Sequence, residues 1–222
     1  MWPASSDLSD DFCPPSSVAY RRGVSSLESA DNPGTDDFKS MITWRRLTNS
    51  RLEQVRLHVS GIRIKAYGRI ISAEPEQEPY SASYELITND IGVTKRLSIH
   101  LVRAGGESQV AISRDGENNW LVQTAEGTVH SDFNGAQDID IAMSPMFKSL
   151  PIRRLGLHRD AAGEQSIPVV YVYLPETRVE GATMTYNAGA DAIDITTPIA
   201  STAVTVDDNG FVLDYAGIST RI

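Results

Sequence analysis

The chain has 222 residues and a formal net charge of −9 at pH 7, which disfavours nucleic acid and anionic membrane surfaces as partners, because both demand a basic face. Its apolar fraction of 41% is that of a globular protein long enough to bury a core. Cys13 is the single cysteine, so no internal disulfide can form, and no apolar run reaches the roughly 18 residues of a membrane-spanning helix. Stable membrane insertion is not expected, and the expected compartment is the cytoplasm.

Val, Ile and Thr number 49 against 18 for Leu and Lys, a balance that favours strands over helices. Arginine outnumbers lysine 16 to 4, and guanidiniums suit paired, half-buried or anion-facing positions. Residues 1–40 carry seven acids against three bases, four prolines and little periodicity. Such a stretch buries too little apolar surface to offset its chain entropy, and a disordered acidic N-terminal extension is expected there. Within it, Tyr20-Arg21-Arg22 reads as a solvated basic pair. The folded domain is expected over 41–222, with Trp44 as an early anchor.

Val55, Leu57 and Val59 alternate with Arg56 and His58, the pattern of a half-buried strand. After Gly61 the parity flips to Ile62, Ile64, Ala66 and Ile70, which predicts a bulge or sharp bend at Ser60-Gly61. Arg63, Lys65, Tyr67 and Arg69 fall on the opposite, solvent side. Residues 73–79 read as a loop. Tyr80, Ala82, Tyr84 and Leu86 pair with Leu97, Ile99 and Leu101 in a hairpin, and Val110 and Ile112 pair with Trp120 and Val122 in another. In D-I-D-I, Asp138 and Asp140 share one strand face.

A helix reads well over 144–157. Ser144 and Pro145 suit its start, Pro151 restarts the chain, and Gly156 can end it. Arg153 and Arg154 sit about 100° apart on that helix, so one of them at most faces the interior. Ile167 to Leu174 is apolar on both faces, which predicts a central strand. Further strands are expected at 179–186 and 193–196. A final hairpin joins Val204 and Val206 to Phe211, Leu213 and Tyr215 through a turn at Asn209-Gly210. The fold class is mainly β and antiparallel, with one short central helix.

The chain contains none of the common metal, phosphate-loop or nucleophile motifs. His58, His100, His130 and His158 fall in different elements, so no catalytic residue, metal site or cofactor is expected. Asp138 and Asp140 could do acid/base work or hold a cation, but adjacent carboxylates are costly when dry, which favours a solvated face or pairing with arginine. Arg153 and Arg154 could hydrogen-bond an anionic or sugar headgroup, or lock the helix to the sheet. Tyrosines 84, 171, 173, 186 and 215 suit either an amphiphile pocket or an ordinary core.

S-P-M-F-K-S-L-P-I-R-R-L-G-L at 144–157, followed by V-V-Y-V-Y-L-P-E-T-R-V-E and then M-T-Y, resembles the signature of the bacterial putative glycolipid-binding family. The resemblance runs from W-R-R-L at Trp44 to the closing D-N-G-F-V-L-D-Y-A-G-I and covers about residues 41–222. It implies a spiral β-roll, a curled antiparallel sheet around a short helix, similar in shape to periplasmic lipoprotein carriers and to mycobacterial lipid-carrier lipoproteins. It further implies non-enzymatic binding of a lipid or glycolipid in a concave β cleft. The matching positions, and hence the expected ligand-binding residues, are Trp44, Arg153, Arg154, Tyr171, Tyr173, Arg178, Tyr186 and Tyr215. Two alternatives remain. One is a cofactor-free enzyme in the same cleft, with Asp140, Glu85 or a histidine as its titratable group. The other is a protein-interaction module with an exposed apolar patch.

Overall fold

The structure is a computed structural model that describes residues 37–48, 50–75, 77–160 and 163–222. Cys13, Tyr20-Arg21-Arg22 and nearly all of the expected N-terminal extension lie outside the described residues. The first strand, β1 (Phe38–Arg46), starts three residues before the expected domain. It is followed by β2 (Ser50–Ser60), β3 (Arg63–Ala73), β4 (Tyr80–Thr88), β5 (Thr94–Arg103), β6 (Gly106–Arg114), β7 (Trp120–Thr124) and β8 (Gly127–Ser131). Each of these strands is antiparallel to the one before it. A 3-10 turn then leads into β9 (Asp138–Ile141) and the helix α1 (Pro145–Arg154). The second half holds β10 (Gly163–Val172), β11 (Val179–Ala188), β12 (Ile193–Thr196), β13 (Ser201–Val206), β14 (Val212–Tyr215) and β15 (Ser219–Arg221).

The described strands form one fifteen-stranded sheet in the order β8-β7-β6-β5-β4-β3-β2-β1-β15-β14-β13-β12-β11-β10-β9. The expected curled, spiral β-roll is therefore corrected. The sheet is an open series whose edges, β8 and β9, share no ladder. Two features of the sequence account for this. β8, G-T-V-H-S, is exposed along most of its length and has no buried row on which to seat a neighbour. β9 runs parallel to β10, pairing Asp138 with Val169 and Ile141 with Val172. A parallel pair needs a crossover, and α1 is that crossover. The helix thus belongs to a β–α–β unit and does not fill the centre of a closed roll.

Other expectations hold. The hairpins β4–β5, β6–β7 and β13–β14 are present. Arg63, Tyr67 and Arg69 are exposed. Val169 to Val172 are buried between β9 and β11. At Ser60-Gly61 the parity flip marks a tight hairpin turn between two separate strands, with Ser60 opposite Arg63, and not a bulge within one strand. Pro151 lies inside one continuous helix and does not restart it. Gly156, at φ 70°, closes that helix: its N–H donates to the Arg153 carbonyl at 3.2 Å and that of Leu157 to Ile152 at 2.9 Å. This double closure needs a left-handed residue, which glycine supplies.

Side chains of α1 enter two cores. Met146, Phe147 and Leu150 pack with Trp44, Leu57, Leu86 and Trp120. Ile152, joined by Leu157 just past the helix end, packs with Tyr171, Tyr186, Ile195 and Tyr215. A helix buried from Pro145 to Arg153 must also bury Lys148, Ser149 and Arg153, and each of these then needs a partner. The middle of the sheet is closed by a seam between β1 and β15, with Trp44 opposite Arg221 and Arg46 opposite Ser219.

Candidate functional site

The partners of the helix form a buried polar network. Lys148 is fully buried and its Nζ donates to Asp140 Oδ1. The ammonium also faces the rings of Tyr171 and Tyr215, at 5.9 and 5.8 Å, positions that favour a cation. Burial pulls Lys148 down from its ordinary pKa and Asp140 up, and their mutual attraction opposes both shifts. Arg154 grips Asp138 with two nitrogens, Nη2 lying 2.6 Å and Nε 3.1 Å from Oδ2. Burial also raises the Asp138 carboxyl, with the Arg154 hydrogen bonds holding it back.

The third buried acid is Glu53. Tyr84 donates to its Oε1 at 2.7 Å, and the Ser144 hydroxyl lies 2.7 Å from both of its oxygens. Ser144 thus faces the β2 carboxylate instead of capping the helix that it precedes. Burial is the largest influence on Glu53 and raises its pKa, while the Tyr84 and Ser144 hydrogen bonds and the charges of Arg51 and Lys148 act the other way. Burial and the nearby Glu53 charge push the Tyr84 phenol well above its usual range. The Tyr84 ring has room because the residue opposite it on β3 is Gly68. A Cβ at Gly68 would overlap that ring.

Six of the eight expected ligand positions lie in this scaffold. Trp44 is 1% exposed, and its Nε1 donates to the Val212 carbonyl at 2.8 Å. Arg153 donates to the carbonyls of Asn209 and Gly61, and its guanidinium lies 4.8 Å from the Phe211 ring centre. Arg154 holds Asp138. Tyr171, Tyr186 and Tyr215 are buried in the second core, and burial followed by the Asp140 charge raises all three phenols. Of the candidates for catalysis, Asp140 is paired with Lys148, and Glu85 pairs with Arg96 at 2.9 Å on the exposed face. No group of three or more His, Cys, Asp or Glu among the described residues could hold a metal ion.

The other two positions, Tyr173 and Arg178, flank the β10–β11 turn. The Arg178 guanidinium stacks 3.5 Å from the Tyr173 ring centre and pairs with Glu180. Tyr173 donates to Glu180 at 2.7 Å. These contacts fix an exposed cation on a turn whose Leu174, Pro175 and Thr177 are buried. That turn borders a hollow of about 560 Å³. Val122, Val129 and Val179 supply its apolar wall, and Arg178, Glu176 and Glu126 its charges. Val129 is 52% exposed at the sheet edge.

Sequence reading missed Glu53, Arg51, Ser144 and Lys148 as interior groups. A signal was available for two of them. Arg51 and Glu53 share the parity of Val55, Leu57 and Val59, so the buried row of β2 runs on into a cation and an acid.

The model of a family described as "Putative glycolipid-binding" matches residues 41–221. The chain belongs to this family. Among solved structures, it is similar to a DUF1089 family protein from Pseudomonas aeruginosa, at 23% identity and a TM-score of 0.64. That match covers 81% of this chain and 95% of the other, and it shows a shared fold. A beta-barrel-like protein of the DUF1849 domain from Brucella abortus aligns at 10% identity and a TM-score of 0.47, covering 82% of this chain and 93% of the other. No curated protein matches. Among the described residues, no helix is long and apolar enough to cross a membrane.

Proposed function

We propose that the protein binds a lipid or glycolipid without chemical conversion, in the hollow between the β7–β8 hairpin and the β10–β11 turn. The observation that carries this reading is the hollow itself. Its volume of about 560 Å³ lies in the range of small-molecule sites, and valines form its apolar wall. An exposed valine beside a concave surface loses water when a hydrocarbon tail covers it. Arg178, clamped between Tyr173 and Glu180, stands at the rim as a fixed polar contact. Family membership supports the ligand class. In this reading Trp44, Arg153, Arg154, Tyr171, Tyr186 and Tyr215 act at a distance, by holding the walls in place.

The test is native mass spectrometry of the purified full-length protein after exposure to a bacterial lipid extract, repeated with Val129→Asp. The expected result is a lipid adduct on the unmodified protein that the variant loses while its thermal unfolding is unchanged. A protein that acquires no lipid, or a variant that keeps it, would overturn the proposal.

A further inference from the structure

The net charge of −9 is not spread evenly over the molecule. The outward face of three adjacent strands, β1, β2 and β3, carries Lys39, Arg45, Arg56, Arg63, Lys65 and Arg69. The one acid of these strands, Glu53, is buried on the core side. The registers set the outward face in rows: Lys39, His58 and Lys65, then Met41, Arg56 and Tyr67, then Thr43, Gln54 and Arg69, and last Arg45, Leu52 and Ile71. Every row thus holds a cation. Met41, Tyr67, Leu52 and Ile71 are exposed between the cations. Arg63 reaches Asp90 at 3.4 Å, and Glu85 on the neighbouring β4 is taken by Arg96. Among the described residues, the other five cations make no ion pair. Their charge is felt locally: partial desolvation, and then the charges of Arg56, Lys39 and Lys65, lower the pKa of the His58 imidazole.

We propose that this face docks on the surface of an anionic lipid bilayer. The proposal does not rest on the hollow holding a lipid. Net charge counts every acid equally, whereas an anionic surface at physiological salt acts over about 8 Å and responds to the face turned toward it. Anionic headgroups supply the partners that these five cations lack, and each basic side chain brought to such a surface strengthens binding about fivefold. The apolar side chains among them decide between polyanions. On a bilayer, Met41, Leu52 and Ile71 sink toward the acyl chains while the lysine and arginine stems leave their charges at the headgroups. Tyr67, with an apolar ring and a polar tip, suits the same boundary. A nucleic acid would match the cations too. Its phosphate backbone, however, gains nothing from the three aliphatic side chains, and Tyr67 is the one exposed aromatic side chain of these rows on which a base could stack.

Co-sedimentation of the full-length protein with vesicles tests this. Vesicles of phosphatidylcholine with about 30% phosphatidylglycerol are expected to carry the protein down at low salt, and vesicles of phosphatidylcholine alone are not. Salt at about 0.5 M should release it. The variant Arg45→Gln/Arg56→Gln/Arg69→Gln should weaken binding about 100-fold, three cations at about fivefold each. All three side chains are exposed and unpaired, so thermal unfolding should be unchanged. A second variant, Met41→Ser/Leu52→Ser/Ile71→Ser, should weaken vesicle binding at least about tenfold and leave its salt dependence as it was. An oligothymidylate measured alongside is expected to bind more weakly than the anionic vesicles. No sedimentation with the anionic vesicles at low salt, or sedimentation that the arginine variant keeps, overturns the proposal. Oligothymidylate binding as tight as vesicle binding, with both indifferent to the serine variant, also overturns it and assigns the face to polyanions at large. None of these results bears on the hollow, whose adduct is read separately.

Discussion

Replacing Lys148 with methionine keeps the bulk of the side chain and removes its charge. Asp140 then loses its hydrogen-bonded cation while remaining 1% exposed. Breaking a buried pair from one side costs about 3–5 kcal/mol, and solvent screening gives no relief where both partners are inaccessible. For a domain of this size that corresponds to a fall in Tm of roughly 6–20 °C. Removing both partners, in Lys148→Met/Asp140→Leu, should recover most of the loss, because an apolar pair of similar bulk has no charge to desolvate. A pH signature accompanies the single variant. Without the ammonium, burial raises the Asp140 pKa further above its unfolded value, so the folded state holds the proton more tightly. Stability conferred by that proton is present at low pH and is lost as pH rises through the folded pKa. The deficit of Lys148→Met against wild type should therefore shrink on acidification. Urea unfolding of the four proteins of the cycle, at two pH values, measures all of this. A single-variant cost below about 1 kcal/mol, with no coupling in the cycle, would refute the account of a dry ion pair.

Glu53→Gln should flatten part of the pH dependence of stability. The folded pKa of Glu53 is raised by burial, so wild type loses stability as pH climbs through it, and an uncharged amide removes that slope. Urea midpoints at acid and neutral pH would show the variant gaining on wild type at the higher value. Gly68→Ala should cost about 1–3 kcal/mol by overpacking against Tyr84. Its cost should be smaller on a Tyr84→Ala background, so chemical denaturation of that double variant should be less than additive.

The strands were legible because most have one wet face. The alternation in β2, β4 and β5 could be read directly, and so could the turn at Asn209-Gly210. The parallel pairing of β9 was not legible. D-I-D-I carries the signature of a half-exposed strand, yet all four of its residues are buried. Its acids are neutralised by Lys148 and Arg154 from a helix that follows it, and alternation cannot reveal a partner of that kind. The open sheet was missed for a related reason, since a helix between strands fits a roll and a crossover equally well until the strand directions are known. Six of the eight expected ligand positions are buried or paired around α1, and the other two, Tyr173 and Arg178, lie at the β10–β11 turn. The apolar hollow is built instead from small, ordinary residues of the β7–β8 hairpin, such as Val122, Thr128 and Val129, which no local pattern distinguishes from any other edge.

The seam between β1 and β15 has a temporal consequence. Strands β1 to β8 can zip up from neighbours as they leave the ribosome, but Trp44 meets Arg221 only after almost the whole domain has been made. Until then β1 presents a bare ladder edge in what will become the middle of the sheet, a stretch open to pairing with another nascent chain. Deleting residues 219–222 would hold the molecule at that stage, as two smaller sheets bridged by α1.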